Sequence, residues 1–459
     1  LPKEAWTYTD ALLRSCYRML FSHKNLLNWV PSDEAAKSTK GTLGSYVGKF
    51  WTNYLCAAVV VALMVMMGDA AALDIAAGVF CVLMWCGAPF LMHWLGRRFP
   101  QERRTLNPRE TDNVRHLARD TWHFFDTLLV EENNYLIPDN YQLNRGNKTD
   151  YKTSPTNIGY SLTAVVSAAE LGFIGRRDAV ARLGHTVDTV MRLEKWHGHL
   201  FNWYDIHTLK ALPNFFISTC DSGNFVACLY VVKGFLTDAS AASDQAGALL
   251  AKVTRLIDQT DFSQLYNPEL DVFSIGYDFG ARTLLPYHYN NFASEARLTS
   301  FLAIAQGDAP YKHWFCLDKT LVQYRGYKGV ASWYGTMFEY FMPLIFLPTY
   351  RHTLMDETYS FAIRAQRAFI RNVLKQSVRQ PAGHPLPWGV SEAAYNELDD
   401  AQNYKYHAFG VPYLKFQNTT PDRIVLSPYS SLMAIGVDDR AVYDNMRRFC
   451  ALGMYGGVE

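Results

Sequence analysis

Pro155-Thr156-Asn157-Ile158-Gly159-Tyr160-Ser161-Leu162-Thr163-Ala164-Val165-Val166-Ser167-Ala168-Ala169 is the stretch on which the reading of the fold turns. Ile158, Leu162, Val165, Val166 and Ala169 recur at the three-and-four spacing of one helical face, and Ser154 or Thr156 can cap the helix ahead of them. The same period appears on both sides of it. Val114, Leu117, Ala118, Phe125, Leu128 and Leu129 share a face, as do Val180, Leu183, Val187 and Val190. Leu249, Leu250, Val253 and Ile257, then Leu298, Phe301, Leu302 and Ala305, repeat it again. Strand alternation is scarce; short hairpins are expected near 196–212 and 270–289. Many amphipathic helices joined by long polar and aromatic loops predict an all-α fold, an α/α toroid whose loops at one end floor the site. No internal repeat supports a solenoid.

Upstream of this region the texture differs. Residues 54–67 carry no charge, and 75–95 form a second apolar run with only His93 as a titratable group. Each is near the roughly 20 residues that cross a bilayer, with Trp51 and Tyr54 as interfacial anchors for the first. We expect two transmembrane helices, with Pro89 kinking the second. A signal peptide is excluded by the position and pairing of the runs. Lys49 precedes the pair and Arg97, Arg98, Arg103 and Arg104 follow it, so both outer ends are expected to face the cytoplasm. The alternative is a buried hairpin of a soluble protein. The chain lacks an initiator Met, begins in mid-pattern and stops abruptly at Glu459, which reads as a piece of a longer polypeptide.

Composition removes several function classes. In 459 residues, 44 Lys and Arg face 43 Asp and Glu, for a net charge of +1. Without a basic excess to neutralise phosphates, a nucleic-acid partner is not expected. The eight cysteines are scattered with no C-x-x-C, and no His-Glu-x-x-His occurs, so neither a disulfide framework nor a metal site is expected. Aromatics reach 14%, a level that a large core explains only in part, and Tyr and Trp also suit sugar sites.

The unusual residues gather in the loops. The runs are Pro138-Asp139-Asn140-Tyr141-Gln142 with Arg145, then Thr153-Ser154-Pro155-Thr156-Asn157, and Gly198-His199-Leu200-Phe201-Asn202-Trp203-Tyr204-Asp205. Next come Cys220-Asp221-Ser222-Gly223-Asn224 and Ser294-Glu295-Ala296-Arg297. Ser332-Trp333-Tyr334-Gly335-Thr336-Met337-Phe338-Glu339-Tyr340 and Pro387-Trp388-Gly389-Val390-Ser391-Glu392-Ala393-Ala394-Tyr395-Asn396 complete the set. Any one alone reads as turn chemistry, packing or a solvated first-turn acid. Their repeated pairing of carboxylate, aromatic ring and amide fits glycoside chemistry, which needs ring faces for sugar C–H surfaces and two carboxyls flanking the bond.

Read in order, these runs resemble the middle, glucoamylase-like domain of cyclic β-1,2-glucan synthases, the region that performs cyclisation. The likeness covers 121–450 and rests on 153–159, 198–205, 221–224, 294–298, 332–343 and 387–396. The segment 1–30 and the apolar pair resemble the stretch C-terminal to that family's glycosyltransferase domain. The resemblance implies an (α/α)6 barrel at 106–459, behind a juxtamembrane segment at 1–50 and transmembrane helices at 51–98. It also implies no cofactor, a linear β-1,2-glucan substrate, a bacterial inner-membrane location with a cytoplasmic site, and neighbouring glycosyltransferase and phosphorylase-like domains. Three departures stand out. Asn290 replaces a usual Asp, 371–386 looks inserted, and Tyr455-Gly456-Gly457-Val458-Glu459 matches only loosely, which predicts a barrel incomplete at its C-terminus.

The same resemblance makes Glu295 and Glu392 the paired carboxyls. Each follows a Ser and is expected at a helix N-terminus, where the macrodipole favours the carboxylate by about 0.3–1 kcal/mol. One of them must then be desolvated, or face another carboxylate, to hold a proton at neutral pH. Glu392 is assigned as nucleophile and Glu295 as acid/base. Asp139, Asp221 and Glu339 are candidates for holding hydroxyls or tuning the pair. Trp203, Tyr204, Trp333, Trp388, Tyr395 and Tyr141 are candidate sugar platforms, and Arg145, Asn224 and Arg297 candidate clamps. A hydrolase on the same barrel and a non-catalytic glucan holder remain as alternatives.

Overall fold

The computed structural model describes residues 1–25, 41–68, 71–96, 105–143, 145–240, 243–377, 386–400, 403–416 and 424–453. The four flanking arginines, residues 378–385 of the expected insertion and the last five residues lie outside them. The chain divides into two compact units, Leu1–Glu102 and Arg103–Glu459.

In the first unit, Asn53 joins three helices. Its Oδ1 accepts from Lys3 N of the helix Pro2–Tyr17 at 2.9 Å, and its Nδ2 donates to Trp85 O of the helix Ala72–Leu95 at 3.1 Å. Trp6 meets Trp51 edge-on at 5.6 Å. The helix Ala72–Leu95 has 24 residues, among them Pro89. At 1.5 Å per residue it is about 36 Å long, enough for a hydrocarbon core of about 30 Å. Leu83, Phe90 and Trp94 on it stay exposed. The other apolar run forms Trp51–Met66, about 24 Å long and short of a span by itself. It reaches the required length only together with Leu43–Lys49, from which it is bent by 58°. By length and apolar character the described residues thus hold one helix that can cross a membrane, or two if the bent pair counts as a single span.

The second unit is built from helices that touch both their successor and the element after it. Pro155–Glu170 packs on Arg176–Arg192 and on Thr219–Ser240; Thr219–Ser240 packs on Asp244–Gln259 and on Arg297–Gln306. Arg176–Arg192 in turn touches Asp244–Gln259. That alternation separates an inner set (155, 219, 297) from an outer set (176, 244), the layering of an α/α toroid.

Composition explains the sorting. Outer helices bury one stripe, Val180, Leu183, Val187 and Val190 on one and Leu249, Val253, Leu256 and Ile257 on the other. The inner Thr219–Ser240 is buried from Thr219 through Leu229 with Asp221 as the single part-exposed position. Inner helices approach closely because glycine stands at their crossings. A Cβ on Gly159 would lie 3.0 Å from Cys228 Sγ, and one on Gly223 would lie 1.9 Å from Thr299 Oγ1.

The strands are short and serve the loops. Both expected hairpin regions contain them: Lys195–Trp196 pairs with His199–Leu200, and Phe216–Ser218 with Gly276–Asp278. Two longer hairpins fall outside the expected regions, Leu321–Tyr324 with Tyr327–Val330 and Glu392–Leu398 with Tyr404–Ala408.

Candidate active site

First turns of the inner helices carry the polar residues. Thr156 opens Pro155–Glu170, and its Oγ1 donates to Asp221 Oδ1 in the first turn of Thr219–Ser240 at 2.5 Å. Asn224 Nδ2 donates to the same Thr156 oxygen at 3.0 Å. Asn157 Nδ2 donates to Asp139 Oδ1 at 2.9 Å. Asn202, in the amide orientation that satisfies both its ends, donates to Asp221 Oδ2 at 3.3 Å and accepts from Trp203 Nε1 at 3.0 Å. Trp203 lies under Lys152 Nζ at 4.6 Å.

Glu295 sits just ahead of Arg297–Gln306. Ser294 Oγ accepts from Ala296 N at 3.2 Å and donates to Glu295 Oε2 at 3.2 Å, fixing the turn and the carboxyl together. Glu392 is different: it begins the strand Glu392–Leu398 instead of a helix, which corrects the sequence reading. The Ser-Glu-Ala-Ala run looks like a helix start, but pairing with Tyr404–Ala408 overrides that local preference. Glu392 Oε1 accepts from Thr336 Oγ1 at 3.0 Å, and Oε2 accepts from Ser391 Oγ at 2.9 Å.

Glu339 is buried in a capping box with Thr336, whose hydroxyl also reaches Glu392. It accepts from Ser332 Oγ at 2.9 Å, Tyr334 N at 3.1 Å and Thr336 N at 2.9 Å. Burial raises its carboxyl, and these donors oppose the rise. Glu295 is pushed up to about 7 by burial and then by the Glu339 charge, with Asp221 adding to it. Glu392 is pushed up to about 8 by burial, then by Glu339 and Glu295. Both remain partly open to solvent, as groups on a cleft floor are. The distant segments therefore meet in one field of charge, and desolvation outweighs any helix dipole.

Several candidates belong elsewhere. Tyr204 is fully buried, donates to Glu194 O and accepts from Phe201 N at 2.8 Å, so it offers no ring face. Trp388 is sealed in the core, its backbone held by Asn445 at 2.8 and 2.7 Å. Arg297 is buried and donates to Tyr359 Oη at 2.8 Å and Phe292 O at 3.1 Å. These three are structural because large or multivalent side chains near an inner helix satisfy themselves within the core. Arg145 pairs with Asp150 at 3.5 Å. Tyr141 is half exposed, and Trp333 is exposed with its edge on Phe416. Tyr395 lines a cavity of about 430 Å³ with Asn140, Gln142, Ala394, Asn396 and Tyr404. Asn290 is exposed, its carbonyl accepting from Asp318 N at 2.7 Å.

Sequence reasoning did not single out Thr336, Ser391, Tyr406 or Tyr429. Tyr406, on the strand paired with the Glu392 strand, has its hydroxyl raised by desolvation and then by the charges of Glu392 and Glu295. Tyr429 Oη donates to Glu392 O at 2.6 Å. The Thr-x-x-Glu spacing of 336–339 is a legible signal for Thr336; Tyr406 and Tyr429 have none.

An enclosed set of carboxylates at one end of an α/α toroid defines a glycoside-hydrolase-like enzyme domain. Comparison with known proteins agrees. A family model described as "Putative glucoamylase" matches residues 287–456. The cyclic beta-(1,2)-glucan synthase of Rhizobium meliloti is 27% identical across 97% of this chain, bearing out the resemblance read from the sequence. The chain spans 20% of that relative's length. An endo-beta-1,2-glucanase from Chitinophaga pinensis, solved with sophorotriose and glucose, superposes with a TM-score of 0.62 at 16% identity, covering 75% of this chain and 83% of its own. One from Talaromyces funiculosus, solved with sophorose, gives 0.56 at 15%, covering 74% and 78%. These likenesses fix the fold as the (α/α)6 barrel type.

Proposed function

We propose that the second unit carries out retaining transglycosylation on linear β-1,2-glucan, closing it into a ring. The observation that carries this is that Glu295 and Glu392 share one field of charge with Glu339, which together with desolvation raises both carboxyls, so that the pair can keep one proton near neutrality. Thr336 and Ser391 supply a hydroxyl to each oxygen of Glu392, support suited to a carboxylate that attacks. A Glu392 oxygen bonds to the anomeric carbon while the leaving glycosidic oxygen takes the Glu295 proton. The chain's own distal hydroxyl then attacks that carbon, gives its proton to Glu295, and frees Glu392. One glycosidic bond replaces another, and the attacking hydroxyl benefits from high effective concentration.

The names of the synthase relative and the glucanase neighbours support the linkage. That relative's greater length supports neighbouring glycosyltransferase and phosphorylase-like domains, and the helix Ala72–Leu95 supports a bilayer partner. The basic flanks of the apolar pair support an inner-membrane location with the site facing the cytoplasm. A second reading is hydrolysis, favoured by the glucanase neighbours. Incubation with linear β-1,2-glucan separates the two. Cyclisation leaves the number of reducing ends unchanged, since the released fragment keeps the original one and the ring has none, whereas hydrolysis creates one new reducing end per bond cut.

A further inference from the structure

A second concave feature lies outside the glutamate site and shares none of its residues. The hairpin Leu321–Tyr324 and Tyr327–Val330 packs against the helix Leu354–Ser377, and the groove between them has a volume of about 330 Å³. Its lining includes Arg325, Arg364, Arg367 and Arg371 with Tyr324 and Tyr327. Arg364, Arg367 and Arg371 fall three and four residues apart and so share one helix face, a spacing at which like charges repel. Among the described residues, none of the four guanidinium groups has a carboxylate partner, in a chain whose acids and bases otherwise nearly balance.

The groove is also held in shape. Gly329 lets the hairpin seat against the helix, since a Cβ there would lie 2.6 Å from Phe361 Cδ1, and Val330 N donates to Thr358 Oγ1 at 3.2 Å. Tyr324 stacks on Tyr413 at 3.9 Å and its hydroxyl accepts from Asn372 Nδ2 at 3.2 Å. The Arg364 guanidinium lies over the Tyr327 ring at 4.2 Å, which fixes its plane. Arg325 occupies the hairpin turn at φ +50°, a conformation that Asn or Gly adopts more easily.

We propose that this groove binds a phosphate-bearing anion. Several guanidinium forks converging on one small cavity match the multiple oxygens of a phosphate or pyrophosphate better than a single carboxylate, which one fork satisfies. The ligand is either a free phosphorylated metabolite or a lipid headgroup.

Calorimetric titration of the full chain, held in an uncharged polyoxyethylene detergent, tests this. One arm uses inorganic pyrophosphate and the other dihexanoylphosphatidylglycerol. At least one is expected to bind, with affinity at least about tenfold weaker in R364Q/R367Q and an intermediate loss in R364K/R367K, which keeps charge without the fork. Binding of pyrophosphate alone assigns a free anion; binding of the phospholipid assigns a headgroup. The unfolding temperature of each variant reports that the fold is intact. No binding in either arm, or equal binding by R364Q/R367Q with the fold intact, overturns the proposal.

Discussion

Thr336 Oγ1 donates to Glu392 Oε1 at 3.0 Å while accepting from Glu339 N at 3.1 Å. One hydroxyl thus caps a short helix and holds the carboxyl assigned as nucleophile. Thr336→Val removes both. A hydrogen bond to a charged group contributes about 1.5–3 kcal/mol, so kcat on linear β-1,2-glucan should fall by roughly 10–100-fold with KM little changed. Loss of the cap should cost about 1 kcal/mol of stability. Thr336→Ser keeps the oxygen and should restore both, by steady-state kinetics and thermal unfolding.

The coupled carboxyls predict a narrow pH optimum. The pair works with one proton between its members, and the two sites titrate near 7 and 8. Conversion should peak between those values, falling below as both protonate and above as both ionise. Glu339→Gln removes a charge that raises both groups, so both limbs should move to lower pH in a kcat/KM profile.

The same shifts bear on stability. Glu295 ionises near 4.5 when unfolded and near 7 when folded, so the folded state holds the proton longer. Stability from this group is present below pH 4.5 and is lost as pH rises through 7. Glu295→Gln should therefore melt higher than the parent at pH 8 but not at pH 4.5, although it is inactive.

Arg297 separates a structural role from a binding one. Arg297→Met leaves Tyr359 Oη and Phe292 O without their donor, which should cost roughly 1–3 kcal/mol. Denaturant unfolding should show that loss, while the KM of the folded fraction for glucan stays unchanged. A raised KM at unchanged stability contradicts this assignment.

The helical period of 158–169 and its counterparts makes the toroid legible, because outer helices carry one apolar stripe and inner ones are apolar nearly all round. Glu295 and Glu392 are legible through the resemblance of the runs that hold them to the glucan synthase family. What the sequence hides comes from pairing at long range. Tyr406 lies on the strand beside Glu392 only because Tyr404–Ala408 pairs with Glu392–Leu398, and the Ser391-Glu392 run reads locally as a helix. Tyr204, Trp388 and Arg297 look like sugar contacts because residue type cannot tell a ring on a cleft wall from one under it. The first apolar run is long enough by composition, but its helix stops at Met66 after a bend at Phe50.

The central claim is that Glu295 and Glu392 act on the same bond. The most direct measurement is the rate at which Glu295→Gln, Glu392→Gln and the double variant convert linear β-1,2-glucan, with product reducing ends counted. Residues acting as a unit are not additive, so each single variant should lose at least about a thousandfold and the double variant little more. Either single variant converting glucan at the parent rate contradicts the account.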